Sequence, residues 1–159
     1  MACSFRSSPL LVAWLACVLT GCQSVGFGIA NLGVPAPAAS VVYDAAHRLS
    51  LDVYRPAGPT TGPAPVVVFF YGGSWKRGSR TQYAFVGHRL ASQGALVIVA
   101  DYRTFPRTTF PGFVMDAAAA VAWARQHAAE YGGDPQRLFV AGHSAGAQIA
   151  ALIGTDASY

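Results

Sequence analysis

The sequence predicts an α/β fold, a mostly parallel sheet with helices on both faces. Three observations predict it. Apolar runs of strand length, "VVVFFYGG", "ALVIVADYR" and "RLFVAGH", recur along the chain. They are unbroken rather than alternating, which marks strands buried on both faces. Each is followed by a stretch of helical composition, and strand–helix alternation is how parallel strands are joined.

The first element is a targeting segment. "MACSFRSS" carries one positive charge, Arg6, and the apolar run "PLLVAWLACVL" follows it. That run suits a signal peptide and is too short to span a bilayer. Small residues then precede a cysteine in "LTGC", ending at Cys22. This stretch resembles the lipobox of bacterial lipoproteins, in which the cysteine becomes the lipidated first residue. The expectation is a signal peptide over 1–21, lipid at Cys22, and an exported protein anchored to a bacterial membrane without a transmembrane helix. Cys3, Cys17 and Cys22 are the three cysteines, so a chain starting at Cys22 has no second thiol for a disulfide.

Residues 22–40 are rich in Gly, Ala, Pro and Ser and read as a flexible tether. The domain is expected over 41–159. "VVYD" and "LSLDVYRP" alternate apolar and polar residues around "AAHR", the pattern of an antiparallel hairpin. "AGPTTGPAP" is a loop. The spacing then predicts a strand over 66–73, a helix over 81–94 closed by Gly94, a strand over 95–103 and an alanine-rich helix over 113–133 closed by Gly132 and Gly133. A strand over 137–143 and a helix over 145–154 complete the series.

Composition narrows the function. The chain is 53% hydrophobic and 11% charged, which argues against disorder. The net charge of +4 comes from dispersed basic residues with one short cluster, Lys76, Arg77 and Arg80. That is a solvated basic surface, and no nucleic-acid partner is expected.

Ligands of parallel sheets bind beyond the carboxyl ends of the strands. Two loops there carry chemistry. "GHSAG", Gly142 to Gly146, has the G-x-S-x-G pattern of a sharp strand-to-helix turn that strains its serine and exposes the hydroxyl. Ser144 is the candidate nucleophile. The positions two before and two after must be small where strand and helix nearly touch, and both are glycine. "YGGSW" supplies the second loop. Acyl transfer needs donors for a tetrahedral oxyanion; the candidates are the N–H groups of Ala145 and of Gly73 or Ser74. Trp75 either walls an acyl pocket or packs under the loop.

Together these stretches resemble the α/β-hydrolase family, in the branch of carboxylesterases and lipases with an H-G-G-x-W oxyanion motif. That branch includes hormone-sensitive-lipase-like esterases, kynurenine-formamidase-like amidases and esterases that remove acyl groups from polysaccharides. "YGGSW" stands at the oxyanion motif, with Tyr71 in place of histidine. "ADYRTFPRTTFPGFVMDAAAAVAWAR" resembles the family's D-Y-R…F-P…D…A…W segment, and "GHSAGAQIAALIGTDASY" its elbow and following helix. The resemblance implies a serine hydrolase of small-molecule carboxylic esters with no cofactor. The open alternatives are a serine amidase or peptidase on the same fold, or a non-catalytic lipoprotein remnant.

In this family the triad runs Ser, then Asp or Glu, then His. The chain therefore reads as a fold cut after the nucleophile helix, without triad acid or base. His143 adjoins the serine and is expected beneath the elbow; His47 falls in the hairpin turn; His88 and His127 fall on helices. No histidine pair has metal-ligand spacing, so no metal site is expected. Asp101 and Arg103 either pair with each other or brace the oxyanion loop, with a direct role at the substrate as the third reading. Asp116 is expected to tether neighbouring loops, and Asp156 lies in an ordinary loop.

Overall fold

The computed structural model describes residues 24–58 and 61–159. The signal segment and Cys22 lie outside the described residues. Residues 33–159 form one compact unit, separate from the segment before them. Residues 24–30, inside the stretch read as a tether, are helical. Among the described residues no helix is long and apolar enough to cross a membrane.

Among its described residues the main unit holds five strands and three α-helices. In order they are β1 (Ala39–Asp44), β2 (Leu49–Tyr54), β3 (Ala64–Phe70), α1 (Ala84–Ala91), β4 (Leu96–Ala100), α2 (Gly112–His127), β5 (Gly133–Gly142) and α3 (Ala145–Thr155). The sheet order is β1-β2-β4-β3-β5. β1 and β2 form the antiparallel hairpin, β2 runs antiparallel to β4, and β4, β3 and β5 are mutually parallel.

The sheet order decides where the helices go. The crossover from β3 to β4 steps one way along the sheet, and that from β4 to β5 steps back past β3. Right-handed crossovers then put α1 on one face and α2 on the other. α1 packs on β4 and β2, while α2 and α3 pack on each other and on β3 and β5. Between these layers β4 is buried along its whole length, and Val66, Val68 and Phe70 of β3 are fully buried. This is why the two runs lack polar alternation.

Boundaries differ from the sequence reading in several places; β3 runs Ala64–Phe70 rather than 66–73, and β4 Leu96–Ala100 rather than 95–103. The helix expected over 81–94 opens as a 3₁₀ turn, Arg80–Tyr83, and only then becomes α1. The alanine-rich helix ends in a second 3₁₀ turn, Ala128–Tyr131, closed by Gly132 at φ 88°. β5 begins at Gly133, earlier than expected. Its pairing with β3 slips between Pro65 and Val66, opposite Pro135, which has no N–H to donate.

Candidate active site

Register brings the two chemical loops together. Phe70, the last residue of β3, pairs with Gly142, the last of β5. The chain therefore leaves both parallel strands side by side at their carboxyl ends. The His143 N–H donates to the Phe70 carbonyl at 3.1 Å, carrying the pairing one residue into the turn.

Ser144 has φ 51° and ψ −117°, a left-handed backbone on a residue with a side chain. Such a conformation costs about 1–3 kcal/mol and persists only where the surroundings fix it. The surroundings are tight. A Cβ on Gly142 would lie 2.3 Å from the Gly146 carbonyl oxygen, and one on Gly146 would lie 2.1 Å from that of Phe70. Both positions therefore demand glycine. The N–H groups of Ala147 and Gln148 donate to the Ser144 carbonyl at 2.9 and 3.2 Å, so α3 starts directly at the serine. Its positive end faces the exposed Ser144 side chain.

The glycines of "YGGSW" serve the chain as well as any ligand. A Cβ on Gly72 would meet His143 Nδ1 at 2.6 Å and Ser144 Cβ at 3.1 Å. Gly73 has φ 144°, and a Cβ there would collide with the Arg77 carbonyl oxygen at 1.9 Å. Ser74 and Trp75 follow at φ 55° and 56°. This left-handed pair turns the loop back, and the Lys76 and Arg77 N–H groups close it on the Gly73 carbonyl at 3.1 Å each. Among the described residues the N–H groups of Gly73, Ser74 and Ala145 donate to no acceptor. Three unspent donors at the mouth of adjacent loops suit a developing oxyanion.

Residues the sequence did not single out hold this geometry. The Tyr83 hydroxyl accepts from the Gly72 N–H at 3.4 Å and bonds His143 Nδ1 at 2.8 Å, linking the loop to the elbow. Burial pushes the Tyr83 phenol above its ordinary value, against the opposing effect of the Gly72 N–H, so it is a neutral hydroxyl. His143 is exposed rather than buried beneath the elbow as expected: its ring lies against Tyr83, in the room the missing Gly72 side chain leaves for its Nδ1. Tyr71, standing where the family has histidine, stacks on Tyr102 at 4.5 Å. Each hydroxyl donates to the other residue's carbonyl, at 3.2 and 2.7 Å. Burial, then the Asp101 carboxylate, raises the Tyr71 phenol.

Asp101 and Arg103 do not pair with each other, and only Asp101 braces the loop. Asp101 accepts from the Arg80 backbone N–H at 3.0 Å and from its guanidinium at 2.5 Å, fixing the chain just beyond the "YGGSW" loop. The Arg80 Nε also reaches Asp52 at 2.9 Å. Arg103 pairs with Asp116 instead, through Nε at 2.8 Å and Nη2 at 2.6 Å, and its backbone N–H donates to the same carboxylate. Asp116 thus tethers the 101–103 loop to α2, as expected.

Trp75 walls a groove: its ring lies 6.2 Å from that of Phe113. Asp44, His47 and Asp116 bring possible ligand atoms within 4.8 Å of one another, a grouping the spacing did not reveal. The Arg103 guanidinium already occupies Asp116 there, and its charge opposes a cation. His47 pairs with Asp44 and His127 with Glu130. No histidine among the described residues is bonded to the Ser144 hydroxyl.

A hairpin-led parallel sheet, a serine in a left-handed turn between strand and helix, and a glycine loop beside it define the α/β-hydrolase class. Residues 51–158 match the BD-FAE family, and the chain belongs to it. It is 46% identical over 112 residues to the probable isoprenylcysteine alpha-carbonyl methylesterase ICMEL1 of Oryza sativa subsp. japonica, covering 70% of this chain and 26% of that protein. It is 42% identical over 109 residues to Esterase LipC of Mycobacterium tuberculosis, covering 68% and 27%. Among solved structures it resembles the propionate-bound Est2 esterase of Thermogutta terrifontis, with TM-score 0.67 and 35% identity over 76% of this chain and 46% of that one. The chain therefore spans about a quarter of the length of these curated relatives and under half of the solved esterase.

Proposed function

We propose that this chain carries the nucleophile and oxyanion donors of a serine carboxylic-ester hydrolase. The observation that carries this reading is the strained Ser144 at the N-terminus of α3, beside unspent N–H groups. In the proposed reaction the Ser144 hydroxyl oxygen attacks the ester carbonyl carbon. The carbonyl oxygen takes up the negative charge and is held by the N–H of Ala145 and that of Gly73 or Ser74. The C–O bond to the alcohol then breaks, the alcohol leaves with a proton, and water releases the acid from Ser144. The base that takes the serine proton is none of His47, His88, His127 or His143. Similarity to proteins named esterases supports an ester bond over an amide or peptide bond, and a catalytic protein over a remnant.

A fluorophosphonate probe tests this reading, because it reacts with an activated serine hydroxyl and not with an ordinary one. With protein from its native source, the adduct should map to Ser144 and vanish in Ser144→Ala. An unlabelled Ser144 in active extract would remove the proposal.

The membrane reading is also a proposal, supported by the order Arg6, apolar run, "LTGC". Cells fed labelled palmitate should incorporate label into the wild-type protein and not into Cys22→Ala. Label that persists in the variant places the lipid elsewhere or makes it incidental.

A further inference from the structure

A groove of about 330 Å³ runs beside the elbow, mostly apolar, with Trp75, Phe105 and Phe113 as its walls and Ser74, Lys76 and Gln148 on its rim. Its two sides belong to the elements that carry the proposed chemistry. Ser74 lies in the oxyanion loop, and Gln148 is one turn into α3, its N–H bonded to the Ser144 carbonyl. The Phe105 N–H donates to the Trp75 carbonyl at 2.7 Å, locking the aromatic walls together. Trp75 is 36% and Phe105 52% exposed, so protein atoms leave much of this aromatic surface uncovered. Clustered exposed aromatics beside a reactive serine mark a binding surface.

The charge of the groove is one-sided. Lys76 is its single ionisable lining residue, and neither Asp nor Glu lines it. The Lys76 ammonium stands 5.9 Å above the Phe105 ring, which holds it at the wall. Among the described residues no carboxylate lies in ion-pair range of it. An aromatic slot with one uncompensated cation complements an apolar group that carries a negative charge.

We infer that this groove selects esters whose apolar portion bears a carboxylate, with Trp75, Phe105 and Phe113 packing the apolar part and Lys76 pairing the anion. The inference rests on the reading of Ser144 as nucleophile, and it names the substrate class of that site. Lys76 is here a specificity residue and takes no part in bond making.

Binding tests it without turnover. Ligand-detected NMR titrations compare 4-phenylbutyrate with the neutral 4-phenylbutanol on the full chain at low salt. The wild type should prefer the carboxylate, and Lys76→Met, which keeps the apolar stem, should weaken the carboxylate about two- to fivefold while leaving the alcohol within twofold. Lys76→Arg should keep the preference, and 0.5 M salt should erase most of it. The proposal is overturned if neither ligand binds, if the wild type does not distinguish them, or if Lys76→Met binds both as the wild type does. That last result would leave any carboxylate preference to the elbow N–H groups. Serine labelling is read separately, so an inert Ser144 and an unselective groove give different results.

Discussion

Gly146→Ala should lower stability by about 3 kcal/mol or more and abolish serine labelling with Ser144 itself untouched. The added Cβ would stand 2.1 Å from the Phe70 carbonyl oxygen and 2.5 Å from that of Tyr71. Neither obstacle is the tip of a flexible side chain. Both are backbone, and Phe70 is fixed on both sides by its pairing with Ala100 and Gly142. The helix must therefore move away from the sheet, and its first turn carries the Ala145 N–H and the strained φ of Ser144. Thermal melting and fluorophosphonate labelling measured on the same sample check the two halves of the expectation. A variant that melts like the wild type and labels at an unchanged rate would show that the close approach is not needed.

Asp116→Ala should cost about 3 kcal/mol, near the lower end for breaking a buried ion pair, because the Arg103 side chain keeps 19% of its exposure. Asp116 is 3% exposed and receives three donors from one residue: the backbone N–H, Nε and Nη2 of Arg103. Removing the carboxylate strands a guanidinium and an N–H in the 101–103 loop. Asp101 in that loop holds Arg80, just beyond the "YGGSW" loop that the proposed function makes the oxyanion loop. The damage should therefore travel: slower labelling of Ser144 in Asp116→Ala than in Asp116→Asn, which retains an acceptor oxygen. Denaturant melts give the stability and labelling rates the coupling. Equal melts for Asp116→Ala and wild type would mean that the pair contributes nothing net.

Much of the architecture was legible because it is written in local patterns. Unbroken apolar runs gave the buried strands β3 and β4, but not β5, where Phe139 is 58% exposed and the run expected to be buried lies partly open; Gly132 gave the end of the alanine-rich helix through its left-handed backbone. "GHSAG" was readable as a turn because its glycines answer a steric demand at fixed spacing, and the structure shows that demand as the contacts of Gly142 and Gly146. "YGGSW" was readable as a loop, but the reason for its glycines was only partly so. They were expected to let a ligand approach; Gly72 also makes room for the elbow, and Gly73 for the Arg77 carbonyl.

The helix of residues 24–30 was missed because its Gly-rich composition, "SVGFGIA", has little helix propensity and no polar–apolar period. The early start of β5 was missed because Gly133 was read as a helix stop, and it and Pro135 are tolerated at a slipped pairing. Tyr83 carried no local signal at all. It sits in a 3₁₀ turn among ordinary residues, and its importance comes from meeting Gly72 and His143, the latter sixty residues away.

The sequence by itself determined where most of the strands and helices fall and which serine sits in the strained turn between β5 and α3. Those depend on interactions within a few residues: side-chain periodicity, chain stiffness and the room that glycine leaves. Only the tertiary structure decided which loops face each other, that Arg80 rather than Arg103 pairs with Asp101, and that Trp75, Phe105 and Phe113 enclose one groove beneath Lys76. These contacts join positions far apart in the chain. Their partners are selected by strand order and register, which set every distance between elements and leave no trace in the spacing of the residues.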